Sequence, residues 1–347
     1  MTDKNYRIRV EGFHGFNEAE WEQRRLDFEG SFYLGARYAG ILRAEKLYPL
    51  FFYFHDETGR CVGLGLGHLT DQWRRWPLRS LVRRLVFETY PAVSRGREDL
   101  LNVFMEKILQ YTKEYGVSGL EFRSIDAPVS PTGLDKQGMI PFERIEFVVD
   151  LAVDDGELMQ RISSRKRSQL RKIDRSGELA VRECRDQDSL IQLIDFQSSS
   201  RDRRRRRGEE YAIASRSSAL PIYKNYIEPG NGRLFMVYSN EIPLAGILLH
   251  CGHGRAYYTM AGSSPEGFSS HAPSFLVWQV MRILRDDGYT IFNLGGVPGS
   301  ARHESDLAHG LYRFKNAFGG REVRCINWRR DNLGWRSRLR DMMHIDG

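Results

Sequence analysis

The chain has 347 residues, of which 41% are hydrophobic and 28% are charged. This composition is that of an ordinary globular protein and excludes a disordered or low-complexity chain. The length exceeds the usual size of one hydrophobic core, so we expect two domains. The net charge of +7 favours a polyanionic partner, either RNA, a diphosphate-bearing ligand or an anionic membrane surface.

The start of the chain is polar and charged, with no apolar run behind it. It lacks the pattern of a secretory signal, and nowhere is an uninterrupted apolar stretch long enough to cross a bilayer. These observations predict a cytoplasmic protein without a transmembrane segment. The cysteines are far apart in the sequence, at Cys61, Cys184, Cys251 and Cys325. Their spacing predicts reduced, buried, structural thiols rather than disulfides or a metal site.

The first half of the chain predicts a hairpin, a helix and a further strand. Residues 50–54 are aromatic and apolar, a polar turn follows, and residues 61–66 read as the returning strand. Apolar side chains then recur at helical spacing over residues 101–115. Gly116 is the expected end of that helix, and residues 120–122 resume as a strand.

Residues 157–175 predict one strongly basic helix between the two halves. Its apolar face is sparse and runs through Leu158, Ile162, Leu170 and Ile173. Its cations share another face, formed by Arg161, Arg165, Lys172 and Arg175. Gly177 is the expected end of this helix.

Two further clusters of positive charge are visible in the sequence. Tryptophan and arginine are mixed between Trp73 and Arg84, as in surfaces that contact RNA or a membrane. Arginines also occupy position 201 and positions 203–207. Such a run either holds the phosphates of a nucleic acid or nucleotide, or forms a solvated loop.

The second half predicts the same order of elements as the first. Residues 234–238 and 243–249 read as the strands of a hairpin around a polar turn. A helix opens at Pro273, Gly288 ends it, and residues 289–294 resume as a strand. The repeated order of hairpin, helix and strand indicates an internal duplication.

Two motifs in the second half resemble the FemAB-type transferases. Residues 310–320 read GLYRFKNAFGG, which matches the family pattern GIYRFKxxFGG almost throughout. Residues 292–298, FNLGGVP, resemble the family strand that ends in DFGG, and residues 157–175 are similar to its basic helix. The resemblance implies an α/β fold with mixed (α+β) sheets in two tandem GNAT-like acyl-CoA N-acyltransferase domains. We place them at residues 1–150 and 151–347, the second with the family motif.

The chain differs from many FemAB-type relatives at two points. Asn293 stands where many of them have aspartate. Residues 177–230 show no long helical arm with heptads, a feature that some relatives carry and that is linked with tRNA contact.

The resemblance also implies candidate site residues. Lys315, the lysine of the longer motif, is the expected catalytic cation, either for the oxyanion or for anchoring the substrate, since its phenylalanine neighbours would exclude water and strengthen its field. A surface lysine is the alternative. Tyr258 matches a strand position that faces the substrate cleft and is the second expected catalytic residue, with its hydroxyl bonded to the acceptor or donor. A tyrosine of the core explains this position equally well. Further residues are expected to bind the donor or acceptor: Phe314, Asn293, Arg165, Arg171, Ser270, His271 and Arg204.

Two loops offer weaker signals. Residues 269–273 resemble an anion-binding helix N-terminus, although a plain N-cap followed by proline explains them equally well. Residues 303–309 contain histidines and carboxylates, and one with a pKa near neutrality would accept the proton of an attacking amine. A solvated loop is the alternative, and direct proton transfer to substrate or solvent needs no protein base. We therefore assign no general base.

The resemblance implies an N-acyltransferase that forms an amide bond. The leading hypothesis is transfer of an amino acid from aminoacyl-tRNA to an amine of a peptidoglycan precursor. The alternative is an acyl-CoA-dependent enzyme acting on an amino sugar, amino acid or exopolysaccharide unit. A third hypothesis is a non-catalytic basic protein that binds RNA or another anion. The expected partners are charged tRNA or a coenzyme A thioester, a nucleotide- or lipid-linked amine and an anionic membrane surface, with no permanently bound cofactor or metal.

Overall fold

The computed structural model describes residues 6–71, 83–127, 131–205, 214–252 and 254–331. Its strands, in chain order, are β1 (Arg7–Gly12), β2 (Tyr48–His55), β3 (Cys61–Asp71), β4 (Arg83–Phe87), β5 (Ala92–Val93), β6 (Gly119–Phe122), β7 (Ile140–Asp150), β8 (Ala180–Cys184), β9 (Gly232–Ser239), β10 (Ile242–Gly252), β11 (Arg255–Ser263), β12 (Ile291–Pro298) and β13 (Arg321–Asp331). Its α-helices are α1 (Glu18–Asp27), α2 (Ala36–Ala44), α3 (Leu100–Glu114), α4 (Asp155–Arg161), α5 (Ser164–Ser176), α6 (Gln187–Arg205), α7 (Ala219–Ile222), α8 (Pro265–Ser269), α9 (Ala272–Asp286) and α10 (His309–Asn316). No helix in these ranges is long and apolar enough to cross a membrane.

The chain divides into two compact units. The first unit contains Met1–Glu143 and Cys325–Gly347, and the second unit contains Arg144–Arg324. The fold is α/β with mixed parallel and antiparallel pairing, as the sequence predicts. The predicted boundary at residue 150 falls at the end of β7, whose residues 144–150 belong to the second unit.

The sheet of the first unit has the strand order β1-β2-β3-β4-β6, followed by the end of β13. Strands β4 and β6 are parallel, and the other neighbours along this order are antiparallel. The predicted hairpin is confirmed, since Phe51 of β2 lies opposite Leu66 of β3. The predicted helix is α3, and Gly116 follows it with a φ of 63°.

Local chemistry explains the hairpin of the first unit. The Asp56 carboxylate accepts hydrogen bonds from the backbone N–H groups of Thr58 and Arg60, both at 3.0 Å, which closes the turn. Phe54 of β2 stacks on Phe104 of α3, with ring centroids 4.6 Å apart. The hairpin and the helix therefore share one apolar core.

The end of β13 completes the first unit. Residues 328–331 pair antiparallel with residues 119–122 of β6, and Trp328 is buried in the core. The Asn327 Oδ1 atom accepts hydrogen bonds from the Ser124 backbone N–H at 3.0 Å and from its hydroxyl at 2.8 Å. The first unit is therefore assembled from two separate stretches of the chain.

The sheet of the second unit has the strand order β7-β12-β11-β10-β9-β8. The predicted hairpin is the antiparallel pair β9 and β10, and β11 lies antiparallel on the other side of β10. Helix α9 connects β11 to the parallel strand β12 and buries the apolar side chains of Trp278, Val280, Met281 and Leu284. Gly288, with a φ of 83°, follows the helix as predicted. The order of hairpin, helix and strand is thus confirmed in both units.

The basic segment predicted as one helix is two helices, α4 and α5. The break lies at Ile162, which has extended dihedral angles (φ −68°, ψ 138°) and is buried. The next backbone N–H, of Ser163, donates to the carbonyl of Ala317 at 3.0 Å. This tertiary hydrogen bond replaces a helical one, so the prediction of a continuous helix was wrong. The predicted cationic face is divided between Arg161 on α4 and Arg165, Lys172 and Arg175 on α5.

The cysteines are free thiols. Cys61, Cys251 and Cys325 are buried, whereas Cys184 is half-buried, with its Sγ atom 3.6 Å from the hydroxyl of Tyr238. Burial raises the pKa of Cys251 to about 12, which keeps it a thiol at neutral pH.

Candidate active site

Strands β11 and β12 of the second unit are paired over a short distance only. Their parallel register runs from Arg255 opposite Ile291 to Tyr257 opposite Asn293 and ends there. Thr259, two residues later in β11, is an extra residue relative to β10. Such bulges end pairing and redirect side chains. The predicted site residues of both strands therefore lie where the two strands stop pairing.

Strand β12 carries an irregularity of its own, an extra residue relative to β7 just before Gly296. Gly295 has a φ of 72°, a conformation that strains an L side chain. A Cβ atom on Gly295 would lie 3.0 Å from the Tyr258 carbonyl oxygen and 3.2 Å from the Nζ atom of Lys315. On Gly296 it would lie 2.3 Å from the Nε atom of Arg144. The two motif glycines therefore leave room for the groups that surround the bulge.

Lys315 lies on α10 and is 5% exposed. Its Nζ atom donates a hydrogen bond to the carbonyl oxygen of Gly296 at 3.3 Å and lies 5.1 Å from the centre of the Tyr258 ring. Its neighbours Phe314 and Phe318 contact each other, with ring centroids 5.3 Å apart. The structure thus brings the two predicted catalytic residues together. Burial places the ammonium where its electric field is stronger than in water.

A buried hydrogen-bond network surrounds the start of the same bulge. The carboxylate of Glu146, on β7, is 3% exposed and accepts from the Tyr257 hydroxyl at 2.8 Å and from Asn293 Nδ2 at 2.7 Å. Arg144 donates its Nε to this carboxylate at 3.3 Å and its Nη2 to the Tyr257 hydroxyl at 2.8 Å. Asn293 Oδ1 accepts from the Gly295 backbone N–H at 2.9 Å. Both polar atoms of the Asn293 amide are therefore bonded within the protein.

Sequence reasoning missed three members of this network, Arg144, Glu146 and Tyr257. One signal was available, because Glu146 is the only charged residue in the otherwise apolar strand segment 145–149. A charge in such a segment is costly unless partners surround it. The identity of those partners depends on strand register and is not written in the local sequence.

Positive charge gathers at the N-terminus of α9. The Nζ atom of Lys166 donates to the Ser274 hydroxyl at 2.7 Å and to Gln169 Oε1 at 3.1 Å. Burial, and then the charge of Arg165, lower the pKa of Lys166. Burial, and then the charges of Lys166 and Arg165, lower the pKa of His271, the N-cap residue of α9. A helix N-terminus and two adjacent cations all favour an anion at this position.

The other predicted binding residues make different contacts. The ring centre of Phe314 lies 5.6 Å from the Nζ atom of Lys166. Ser270 is exposed, and its hydroxyl donates to a backbone carbonyl of α8 at 3.2 Å rather than to the start of α9. Arg171 is exposed on α5. The side chain of Arg204 lies outside the described part of the chain.

The geometry agrees with a comparison to known families. Residues 160–316 match the family model described as an acetyltransferase (GNAT) domain. This segment is a GNAT domain. It contains Lys315, Tyr258 and the start of α9.

Solved structures extend the likeness to the whole chain. The fold is similar to that of FemX, with a TM-score of 0.69 and 14% identity over 95% of this chain and 99% of that one. It is also similar to a tandem GNAT protein from the clavulanic acid biosynthesis pathway, with a TM-score of 0.55 and 12% identity over 94% and 99% of the two chains. L-PGS from Bacillus licheniformis gives a TM-score of 0.55 and 16% identity over 91% and 93%. A comparison with curated protein sequences finds no match.

These comparisons bear out the predicted fold. The chain consists of two tandem GNAT-like domains, and its resemblance to the FemAB type, first seen in the motifs of the second half, extends to the fold.

Asp306, one of the carboxylates in the loop before α10, is not a proton acceptor near neutral pH, because its pKa is lowered rather than raised. Hydrogen bonds from Ser300 and from the Ala308 backbone N–H, the latter at 2.7 Å, lower the pKa of Asp306. The ring of His309 lies 3.0 Å, through Nδ1, from the carbonyl oxygen of Ala301. These two residues anchor the loop that precedes Lys315 in the GNAT domain.

The first unit differs from the GNAT domain at the corresponding place. Strands β4 and β6 have the same position in their sheet as β11 and β12, but their contact continues past the paired register. The Arg123 N–H donates to the Phe87 carbonyl at 2.7 Å, and the Ile125 N–H donates to the Glu88 carbonyl at 3.1 Å. The Arg123 guanidinium also donates to the Glu88 carboxylate at 2.8 Å. An ion pair thus occupies the position where strands of the second unit separate.

The structure describes only part of the two basic clusters. Arg84 is buried and lies 3.6 Å from the carboxylate of Glu121, so the predicted exposed patch does not include it. Residues 72–82, which contain the rest of that patch except Arg83, lie outside the described residues. Positions 201 and 203–205 of the arginine run are helical, in α6, and positions 206 and 207 lie outside the described residues.

Proposed function

We propose that the protein is an N-acyltransferase that forms amide bonds beside Lys315 and Tyr258, with aminoacyl-tRNA as donor and an amine of a peptidoglycan precursor as acceptor. The observation that carries the proposal is the burial of the Lys315 ammonium where β11 and β12 stop pairing. The similarity to FemX covers nearly the full length of both chains and favours the FemAB-type reaction over that of a single-domain acetyltransferase.

The chemistry requires few protein groups. A neutral amine attacks the carbonyl carbon of an aminoacyl ester, the new C–N bond forms, and the carbonyl oxygen becomes an oxyanion. The Lys315 ammonium stabilises that charge, and removing such a donor typically costs about 10²–10³ in rate. The ester C–O bond then breaks, and the tRNA hydroxyl leaves with a proton that came from the amine. Tyr258, whose ring contacts Lys315, lines the same position and orients the reacting groups.

The donor's phosphates have a suitable site in the same domain. Lys166 and Arg165 lie at the N-terminus of α9, where the helix dipole also favours negative charge. Both candidate donors, tRNA and coenzyme A, carry phosphates, so this cluster supports acyl transfer without choosing between them. Arg171, on α5, is available to a longer polyanion because it is exposed.

A second candidate is an acyl-CoA-dependent N-acyltransferase with an amino sugar, amino acid or exopolysaccharide acceptor. Two observations favour it. The matching family model is described as an acetyltransferase domain, and the similar tandem GNAT protein covers nearly the whole chain. In this reaction a thioester C–S bond breaks and the thiol leaves, with Lys315 in the same role.

A thermal-shift titration with coenzyme A and acetyl-CoA distinguishes the donors. A ligand at 100 times its dissociation constant adds about 2.7 kcal/mol, which raises the melting temperature by several degrees. A saturable shift would favour the acyl-CoA reaction. Without a shift at millimolar ligand, tRNA charged with radiolabelled amino acids is the next donor, with a nucleotide-linked peptidoglycan precursor as acceptor. Tight tRNA binding with no transfer from either donor would instead support a non-catalytic binder.

A further inference from the structure

We infer that Glu146 is a positioning residue for Lys315, acting through Asn293 and the bulge of β12. The inference rests on the proposed function, because it gives a part in acyl transfer to a group that does not touch the reacting atoms. It is carried by a continuous series of hydrogen bonds in the second unit.

The first hydrogen bond of this series fixes the orientation of the Asn293 side-chain amide. An ionised carboxylate only accepts hydrogen bonds, so Glu146 requires the NH₂ side of the Asn293 amide, which lies 2.7 Å from its Oε2 atom. The Tyr257 hydroxyl and the Arg144 Nε atom donate to the other carboxylate oxygen. These three donors hold the Glu146 carboxylate in one orientation and so select one orientation of Asn293.

The second link fixes the bulge. With its NH₂ group on Glu146, Asn293 presents its carbonyl oxygen to the Gly295 N–H at 2.9 Å. Gly295 is the residue with a φ of 72°. The next carbonyl, that of Gly296, accepts the hydrogen bond of the Lys315 ammonium at 3.3 Å. The orientation of the Asn293 amide therefore determines where the anchoring carbonyl of Lys315 lies.

The network allows only one carboxylate at the pair of positions 146 and 293. If both were carboxylates, two buried negative charges would face each other within hydrogen-bonding distance, with no donor between them. If both were amides, one donor would be left facing another. The identity of residue 293, an amide rather than an acid, thus follows from the carboxylate of Glu146. Moving the carboxylate to position 293 requires an amide at position 146.

The test uses the variants Glu146→Gln, Asn293→Asp and their combination. In the combined variant, the amide N–H introduced at position 146 donates to the carboxylate introduced at position 293, and that carboxylate still accepts from the Gly295 N–H. Each single change leaves two donors or two acceptors facing each other, and the combination restores the pairing of donor with acceptor. Glu183→Gln is the matched control, because Glu183 accepts hydrogen bonds from Arg233 at 2.6 and 3.1 Å on β8, away from the bulge.

The first readout is the NMR signal of the Lys315 ε-carbon in protein labelled with ¹³Cε-lysine, assigned by its loss in Lys315→Arg. We expect each single variant to shift this signal, the combined variant to return it towards the wild-type position, and Glu183→Gln to leave it in place. If Asn293→Asp does not fold, Glu146→Gln and the combined variant carry the comparison. Unchanged signals in both single variants, or a combined shift as large as the sum of the single shifts, would overturn it.

The second readout is transfer with the donor identified by titration. Displacing a catalytic group by about 1 Å costs about 100-fold, so we expect kcat to fall about 10- to 100-fold in each single variant, with KM within about threefold, and to recover in the combined variant. Unchanged kcat in the single variants despite shifted signals would refute the positioning role while transfer itself stood. Absence of transfer in the wild-type protein would refute the proposed function, and the NMR readout would then decide the inference about the bulge.

Discussion

Replacing Lys315 with methionine separates its part in catalysis from its part in folding. Methionine keeps a similar length and removes the charge. The ammonium gains a hydrogen bond to the Gly296 carbonyl at 3.3 Å and a contact with the Tyr258 ring at 5.1 Å. A hydrogen bond from a charged group contributes about 1.5–3 kcal/mol, and a contact between a cation and an aromatic ring contributes up to about 2 kcal/mol. Burying an ammonium costs several kcal/mol. These contributions roughly cancel, so we expect the variant to be as stable as the wild type within about 1 kcal/mol.

The same substitution is expected to reduce transfer strongly. Loss of an oxyanion donor costs about 2.7–4 kcal/mol of transition-state stabilisation, or about 10²–10³ in kcat. The measurement is a single-turnover transfer assay beside a calorimetric melting temperature, which should move by no more than about 2–4 °C. Lys224→Met is the control, because Lys224 is exposed in the same unit. Unchanged transfer in Lys315→Met would remove the residue from the mechanism. A fall of more than about 10 °C would show that the ammonium is structural.

Three further variants test separate features. Gly295→Ala should lower stability by about 1–2 kcal/mol, because its φ of 72° strains an L side chain, and should reduce transfer, because the new Cβ atom would crowd Lys315. Gly288→Ala is the control, since Gly288 has a φ of 83° but open space at its Cβ atom. Equal transfer rates in the two variants would contradict a role for Gly295 in the site. Burial lowers the pKa of His68 to about 4, so the unfolded chain binds a proton at a higher pH than the native protein does. The free energy of unfolding should therefore fall by up to about 3 kcal/mol as the pH drops from about 6.5 to about 4. Urea denaturation at several pH values should show that His68→Gln abolishes this pH dependence. Lys166→Met should raise stability at neutral pH, because the lowered pKa of Lys166 means that its charged form is less favourable in the folded protein than in the unfolded chain. The same variant should bind the donor more weakly, and its affinity should depend less on salt concentration. Unchanged affinity and unchanged salt dependence would exclude a contact between Lys166 and a phosphate.

Elements with local signals could be predicted from the sequence. The first hairpin has aromatic strands around a turn closed by Asp56, and α3 ends at a glycine in the left-handed conformation. The break between α4 and α5 could not be predicted, because its cause is the carbonyl of Ala317, far along the chain. A tertiary partner therefore overrode a helical period that was correct on both sides of the break.

The candidate site also has a part that could be predicted from the sequence and a part that could not. Lys315 and Tyr258 were predicted because each belongs to a recognisable stretch of sequence, and their proximity then follows from the fold. The network around Glu146 was not predicted, because its members lie on three strands and meet only through register. Lys166 was also overlooked as a site residue, since its neighbours on a basic segment look the same in sequence and differ only in burial.

The way the first unit is assembled affects how the protein is completed during synthesis. Strand β6 pairs with β4 on one side and, on the other, with residues 328–331, which leave the ribosome only after the whole of the second unit. The second unit, Arg144–Arg324, is one uninterrupted stretch and has all of its residues earlier. The unit that carries Lys315 is therefore available to fold first, although it comes second in the sequence. A chain that stops after residue 324 would keep the candidate site but leave an unpaired edge at β6, the kind of edge that recruits strands from other chains.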